Sequence, residues 1–81
     1  MVEKQPVTTK AFIEGDVYID YPYERVMFRY EKETNTVYQR WYAESHEKQI
    51  PLDSHLYNES HSGGFMITRE EYFKHIVGSK E

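Results

Sequence analysis

The chain has 81 residues, which is enough for one small domain with a single hydrophobic core. Its net charge is −4, with both signs scattered along the sequence, so the domain lacks the basic footprint of a nucleic-acid-binding protein. The absence of cysteine excludes disulfides, zinc ribbons and iron–sulfur clusters. With a polar segment at residues 1–6 and no run of about 18 apolar residues, a cytoplasmic protein is expected.

The apolar residues favour strands over helices. Ile, Leu, Val and Phe account for roughly a fifth of the chain, close to the level of about 20% below which chains stay disordered. Eight Tyr, four Phe and one Trp compensate, because each buried ring removes a large area from water. We therefore expect one domain over residues 1–81, with polar ends at 1–7 and 78–81 that fray.

Residues 8–13 form the first segment with apolar character. Their sequence fits an edge strand that turns at Glu14 and Gly15, and it fits equally the start of the first strand with a bulge at Gly15. The two alternatives give a sheet of five or of four strands.

Four strands with four-residue turns account for the central part of the chain. The strands are expected near 15–20, 25–32, 36–43 and 48–52, and the turns at 21–24, 33–36 and 44–47. This register places Phe28 opposite Trp41, and Trp41 opposite Ile50. One face of the antiparallel meander then collects Val17, Ile19, Val26, Phe28, Tyr30, Val37, Trp41, Ala43, Ile50 and Leu52, with Gln39 as a polar member.

A polar segment, residues 53–64, separates the meander from the C-terminal part. It is expected to be a loop with one helical turn at Leu56 and Tyr57. Gly63 and Gly64 then form a turn before the strand-like residues 65–67.

The last segment has the pattern of an amphipathic helix over about 68–77. Thr68 and Glu71 form a capping box, in which each side chain can bond to the backbone N–H of the other. One helix face carries Tyr72, Phe73, Ile76 and Val77. We place this face across the apolar side of the sheet, with Phe73 or Ile76 above Trp41. The predicted fold is therefore α+β: a four- or five-stranded antiparallel meander packed on one face by a single C-terminal helix.

The same register puts an unusual set of side chains on the opposite, solvent-facing side of the sheet. Tyr, Met and Arg are residue types that are enriched in protein interfaces. Arg29 lies opposite Arg40, and such like-charge pairs are destabilising unless a carboxylate or a phosphate lies between them. A register shifted by two residues, or a contact from Glu31 or Glu44, would remove the conflict. The predicted binding surface consists of Tyr18, Met27, Arg29, Tyr38, Arg40 and Tyr42.

Other combinations of polar residues carry less weight. The histidines, at positions 46, 55, 61 and 75, match no metal-ligand spacing, and only His55 with Glu59 has the spacing of a helical pair. No nucleophile, base and orienting group form a plausible cluster, so neither an enzyme nor a cofactor or metal is expected. No motif identifies a known family.

The function that this pattern favours is a small non-enzymatic protein-binding module, such as an adaptor, an inhibitor or a regulator. The partner would be another protein or a second copy of the chain, and an interface of about 800 Å² on each side would suffice. The alternative is a sheet that binds single-stranded nucleic acid through rings and arginines, which the net negative charge disfavours. In a third interpretation the tyrosines and Met27 simply cover the sheet, while Asp16 and Asp20 neutralise the arginines.

Overall fold

A computed structural model describes residues 5–44 and 46–78, and over these residues the chain is an α+β domain. Six strands form one antiparallel sheet in the order β1-β6-β2-β3-β4-β5 within the described part. The elements are β1 (Gln5–Pro6), α1 (Thr9–Glu14), β2 (Val17–Tyr21), β3 (Val26–Glu31), β4 (Thr36–Trp41), β5 (Lys48–Ile50), α2 (His55–Gly63), β6 (Phe65–Ile67) and α3 (Arg69–Gly78). The predicted fold class, with an antiparallel sheet and a C-terminal helix, is confirmed.

The meander from β2 to β5 has the predicted order but a different register. Its first two turns occupy residues 22–25 and 32–35, each one residue away from the predicted position. Each turn ends with a residue at positive φ, 56° for Arg25 and 53° for Asn35, and this left-handed residue fixes where the next strand begins. A turn displaced by one residue shifts the pairing by two. Phe28 therefore lies between Ile19 and Gln39, and the predicted pair of Phe28 with Trp41 is wrong.

A shift of two residues keeps each strand side chain on its predicted face. The core accordingly contains five residues of the predicted apolar face and one helix residue: Val17, Ile19, Val26, Phe28, Val37 and Tyr57. Trp41 pairs instead with Val26 at the end of β4 and is 36% exposed. Ala43 and Leu52, which were expected in the core, lie beyond the strands and are exposed.

Two helices, α1 and α2, cover the apolar face of the sheet. No helix was predicted at the position of α1, and only a single helical turn was predicted at the position of α2. Residues 8–13 belong mostly to α1, which begins because the Thr8 hydroxyl accepts the N–H of Ala11 at 3.3 Å. Its Phe12 ring lies 5.3 Å from the ring of Tyr30. The predicted loop at 53–64 is largely α2, whose Tyr57 ring packs 5.4 Å from that of Phe28. Both strand alternatives for residues 8–13 are wrong. The helical turn predicted at Leu56 and Tyr57 lies within α2, but the remainder of the predicted loop at 53–64 is mostly helix as well.

Strand β6 enlarges the sheet on the other side of β2. It pairs with β2 and with β1, so that it lies between the two. Gln5 and Pro6, which were expected to fray, are thereby paired with Met66 and Phe65. Residues 1–4 and 79–81 lie outside the described part of the chain.

The C-terminal helix has the predicted start but lies on the other face of the sheet. Thr68 Oγ1 accepts the N–H of Glu71 at 3.0 Å, and Glu71 Oε1 accepts the N–H of Thr68 at 3.1 Å, which confirms the capping box. Because α2 already covers the apolar face, Tyr72 and Phe73 pack on the opposite face against Tyr18. The predicted position of Phe73 above Trp41 is wrong. The side chains of Ile76 and Val77 are outside the described residues.

Candidate binding surface

The predicted binding surface corresponds to the sheet face that α3 covers. In the observed register, Arg29 lies between Tyr18 and Tyr38, whereas Arg40 lies opposite Met27. The pairing of two arginines does not occur, because the shift of two residues separates them. Two carboxylates pair with Arg29 instead, and the conflict that suggested an external anion is removed.

Arg29 is the centre of a charged network on this face. Its Nε and Nη2 donate to the two carboxylate oxygens of Glu47 at 3.1 and 2.6 Å, which is a bidentate pair. Its Nη1 donates to Glu31. The guanidinium also lies 4.2 Å from the centre of the Tyr38 ring. Hydrogen bonding to Arg29 lowers the pKa of Glu31, so this carboxylate is charged at neutral pH.

Glu47 joins this network to α3. The Tyr72 hydroxyl donates to Glu47 Oε1 at 2.6 Å, and the Tyr72 side chain is completely buried. Burial, and next the hydrogen bond to Glu47, raise the pKa of Tyr72, so this phenol stays protonated as a donor. The loop between β4 and β5, which carries Glu47, therefore fastens the helix to the sheet.

Arg40 is buried and serves the turn that follows β4. Its Nη1 donates to the carbonyl oxygens of Glu44 at 2.6 Å and of Trp41 at 3.2 Å, and its Nη2 lies 3.3 Å from the sulfur of Met27. Arg40 is only 1% exposed and Met27 is buried beside it. The expectation that these two side chains face solvent is wrong, because α3 and the turn cover them.

The remaining members of the predicted set differ in exposure. Tyr18 and Tyr38 are half-buried beside Arg29, and Tyr42 is exposed just beyond the end of β4. The Tyr42 hydroxyl donates to Asp20, and burial together with this bond raises the pKa of Tyr42. Tyr42 is thus the residue of the set that can reach a partner directly.

Three of the five exposed large apolar side chains in the described part of the chain lie at one end of the sheet. The five are Ile13, Tyr23, Trp41, Tyr42 and Leu52. Ile13 and Leu52 lie towards the opposite end, before the start of β2 and after the end of β5. Tyr23 lies in the turn between β2 and β3, and Trp41 and Tyr42 follow from β4 at the same end. Here an open cleft of about 510 Å³, which we call the Trp41 cleft, is lined by Glu24, Arg25, Trp41, Tyr42 and Ala43.

Sequence reasoning placed Tyr23 in a turn but left it out of the binding surface, and it missed Trp41 as a surface residue. The register that was off by two placed Trp41 in the middle of the core instead of at the last pair of β4. The signal that was available is Asn35, a residue that favours the left-handed conformation and so marks the last position of its turn. A predicted turn that ends at Asn35 would have placed Trp41 at the end of the sheet.

The histidines in the described part of the chain are not arranged for metal binding. Within residues 5–44 and 46–78 no three His, Asp or Glu side chains lie where they could hold a metal ion. His55 Nε2 and Glu59 Oε2 are 3.1 Å apart on the surface of α2. No helix in the described part of the chain is long and apolar enough to cross a membrane.

Comparison with known proteins assigns the chain to a family. The family model described as Tis1 immunity protein matches residues 5–75, which include all six strands and most of α3. The chain belongs to the Tis1 immunity protein family. This membership confirms the prediction of a small protein-binding module, which the residue pattern alone could not attach to a family.

A curated relative and a solved structure agree with this assignment. The immune protein Tis1 of Pseudomonas aeruginosa (strain UCBPP-PA14) is 38% identical over 64 residues, which cover 78% of this chain and 83% of that protein. The solved structure is the complex between the Type VI effector Tas1 and its immunity protein. A chain of that complex superposes with a TM-score of 0.77 and 35% identity, over 85% of this chain and 92% of that chain.

Proposed function

We propose that this chain is an immunity protein that inhibits a Type VI effector by binding to it, without chemistry of its own. The observation that carries the proposal is the family match over residues 5–75, supported by the likeness to a chain from an effector–immunity complex. An inhibitor of this kind needs a rigid surface that excludes water from its target, and a small domain can supply one of about 800 Å².

The arrangement of the helices limits where the effector can bind. Helices α1 and α2 lie over the apolar face of the sheet, and α3 lies over the face with Arg29. A partner therefore contacts the ends of the sheet, its edges or the outer faces of the helices. Of these, the end with the Trp41 cleft carries the aromatic side chains that contribute most to binding in protein interfaces.

The six residues predicted from the sequence have two roles in this proposal. Tyr42 contacts the effector directly. The other members support it from behind, because Arg40 holds the turn from Trp41 to Glu44 and Arg29 fastens α3 through Glu47. Tyr18, Tyr38 and Met27 pack around these two arginines.

The test is a titration of the purified chain into the Tas1-like effector of the same organism, with an unrelated Type VI effector as the control. We expect a complex that elutes as one species in gel filtration, and inhibition that is complete only when the two proteins reach a fixed stoichiometric ratio. Failure of the cognate effector to bind would contradict the proposal. Inactivation of the effector by a trace of the chain would also contradict it, because that result indicates an enzyme.

A further inference from the structure

We propose that the Trp41 cleft receives a lysine or arginine side chain of the effector, which stacks on Trp41 and pairs with Glu24. This inference rests on the proposed function, because it names the contact through which the inhibitor would recognise its target. It concerns one end of the sheet, formed by the turn at residues 22–25 and the segment 41–44.

The first argument is the exposure of the aromatic rings at this end. Tyr23 is 79% exposed, Tyr42 is 39% exposed and Trp41 is 36% exposed. Three partly exposed large rings at one end of the sheet form the kind of apolar surface that marks an interaction site. The face of an indole ring attracts a cation more strongly than any other side-chain ring does.

The second argument is the charge around the cleft. Glu24 lines it and Glu44 lies next to Ala43, and both of these carboxylates are in exposed residues. Arg25 is the one exposed cation among the lining residues. Arg40 lies buried behind the cleft, where it donates to two main-chain carbonyls. The Glu24 carboxylate beside an indole ring is complementary to a cationic side chain, and the net charge of −4 favours a basic partner surface as well.

The third argument is that the cleft is preorganised. The N–H of Tyr42 donates to the carbonyl of Arg25 at 2.9 Å, which joins the two segments that form the walls. Arg40 fixes the second segment from inside through the carbonyls of Trp41 and Glu44. A partner side chain can therefore enter without the cost of ordering these loops first.

The experiment is calorimetric titration of the cognate Tas1-like effector with matched pairs of variants. Trp41→Ala should weaken binding by at least about 30-fold, as expected when a central aromatic contact is lost. Trp41→Leu keeps apolar area but has no ring, and should still weaken binding by about 5-fold or more. Ile13→Ala removes a side chain that is 68% exposed in α1 and serves as the control, with a change of less than about 2-fold.

A charge reversal tests the same contact without touching the core. Glu24→Lys and Glu33→Lys make the same change of charge in exposed turns at opposite ends of the sheet. We expect Glu24→Lys to weaken binding by at least about 5-fold more than Glu33→Lys does, since only Glu24 faces the bound cation. Thermal unfolding of every variant checks that the fold is intact. If a Trp41 variant unfolds, the comparison of Glu24→Lys with Glu33→Lys still tests the contact, because both sites are exposed.

The outcomes separate this inference from the proposed function. If wild type binds the effector but Trp41→Ala and Glu24→Lys bind as their controls do, the cleft is not the contact, although the inhibitor role stands. If Trp41→Leu binds like wild type, the bound side chain of the effector is not a cation stacked on a ring, and the cleft contributes only apolar contact area. If wild type does not bind the effector at all, the proposed function and this inference both fail.

Discussion

The two faces of the sheet are closed by different kinds of contact, although helices lie over both. On the face under α1 and α2, Val26, Phe28 and Val37 are fully buried among apolar neighbours. On the face under α3, Arg29 is held by Glu31 and Glu47, and Glu47 in turn binds Tyr72. The first kind of contact is non-directional and supplies most of the stability, whereas the second requires exact partners and fixes where one helix lies.

The largest effect is expected on the apolar face. Phe28→Ala should lower the free energy of unfolding by about 3–5 kcal/mol, because it removes a fully buried ring from the centre of the sheet. Urea unfolding followed by circular dichroism measures this, with the exposed Ile13→Ala as the control. A loss of less than about 1.5 kcal/mol would show that this face does not dominate stability.

A smaller effect is expected in the charged network. Glu47→Gln should cost about 1–3 kcal/mol, because it removes the bidentate partner of Arg29 and weakens the acceptor of Tyr72. Glu31→Gln is the matched control and should cost less, since Glu31 accepts one bond from the guanidinium whereas Glu47 accepts two and also a bond from Tyr72. Glu31 is also more exposed than Glu47. Equal losses from both variants would contradict the role of Glu47 in fastening α3.

The start of α3 can be tested apart from either face. Thr68→Ala removes the hydroxyl that accepts the N–H of Glu71, and should cost about 1 kcal/mol. Thr68→Ser keeps the hydroxyl and should recover most of that loss. Effector binding should not change in either variant, so a weakened complex would indicate that α3 itself contacts the partner.

The smallest effect concerns His61, whose ring lies between Phe12 and Tyr57 on the apolar side. Burial lowers the pKa of His61 in the folded state, so the unfolded chain takes up the proton first as the pH falls. Stability should therefore decrease as the pH drops below about 6.5, the ordinary pKa of histidine, and level off below the folded-state pKa. Urea unfolding between pH 8 and pH 5 should show a smaller slope for His61→Gln. The same slope as in wild type would contradict the burial argument, and the exposed His55→Gln serves as the control.

The apolar face was largely predictable from the sequence. Alternation along β2, β3 and β4 identifies Val17, Ile19, Val26, Phe28 and Val37 as core residues, and an error of two residues in register does not change the face. The capping box at Thr68 was predictable as well, because it depends only on residues three positions apart.

Helix α2 was hidden because a polar residue interrupts its buried side. Ser60 is completely buried, and its hydroxyl donates to the carbonyl of Tyr57 at 2.6 Å, so a polar residue occupies a position where periodicity requires an apolar one. Without α2 over the apolar face, α3 was assigned to the wrong side. The polar face was then interpreted as open to solvent, which made Arg40 and Met27 candidate contacts although both are buried.

The Trp41 cleft depends on these corrections, because it exists only where the observed register ends β4. The sequence pattern still selected Tyr42, which lines the cleft, for its interface-type chemistry. Helices already cover the two faces of the sheet, whereas the exposed aromatic rings at the end with the Trp41 cleft are accessible to a partner.

The most direct test of effector binding at the end of the sheet uses the single tryptophan of the chain as a probe. The protein is labelled with 5-fluorotryptophan, and its one fluorine NMR signal, from Trp41, is followed while unlabelled cognate Tas1-like effector is added. Complex formation is verified by gel filtration of the same samples. We expect the Trp41 signal to shift and broaden in proportion to the complex formed. A complex in which the Trp41 signal keeps its free chemical shift would contradict binding at this end of the sheet.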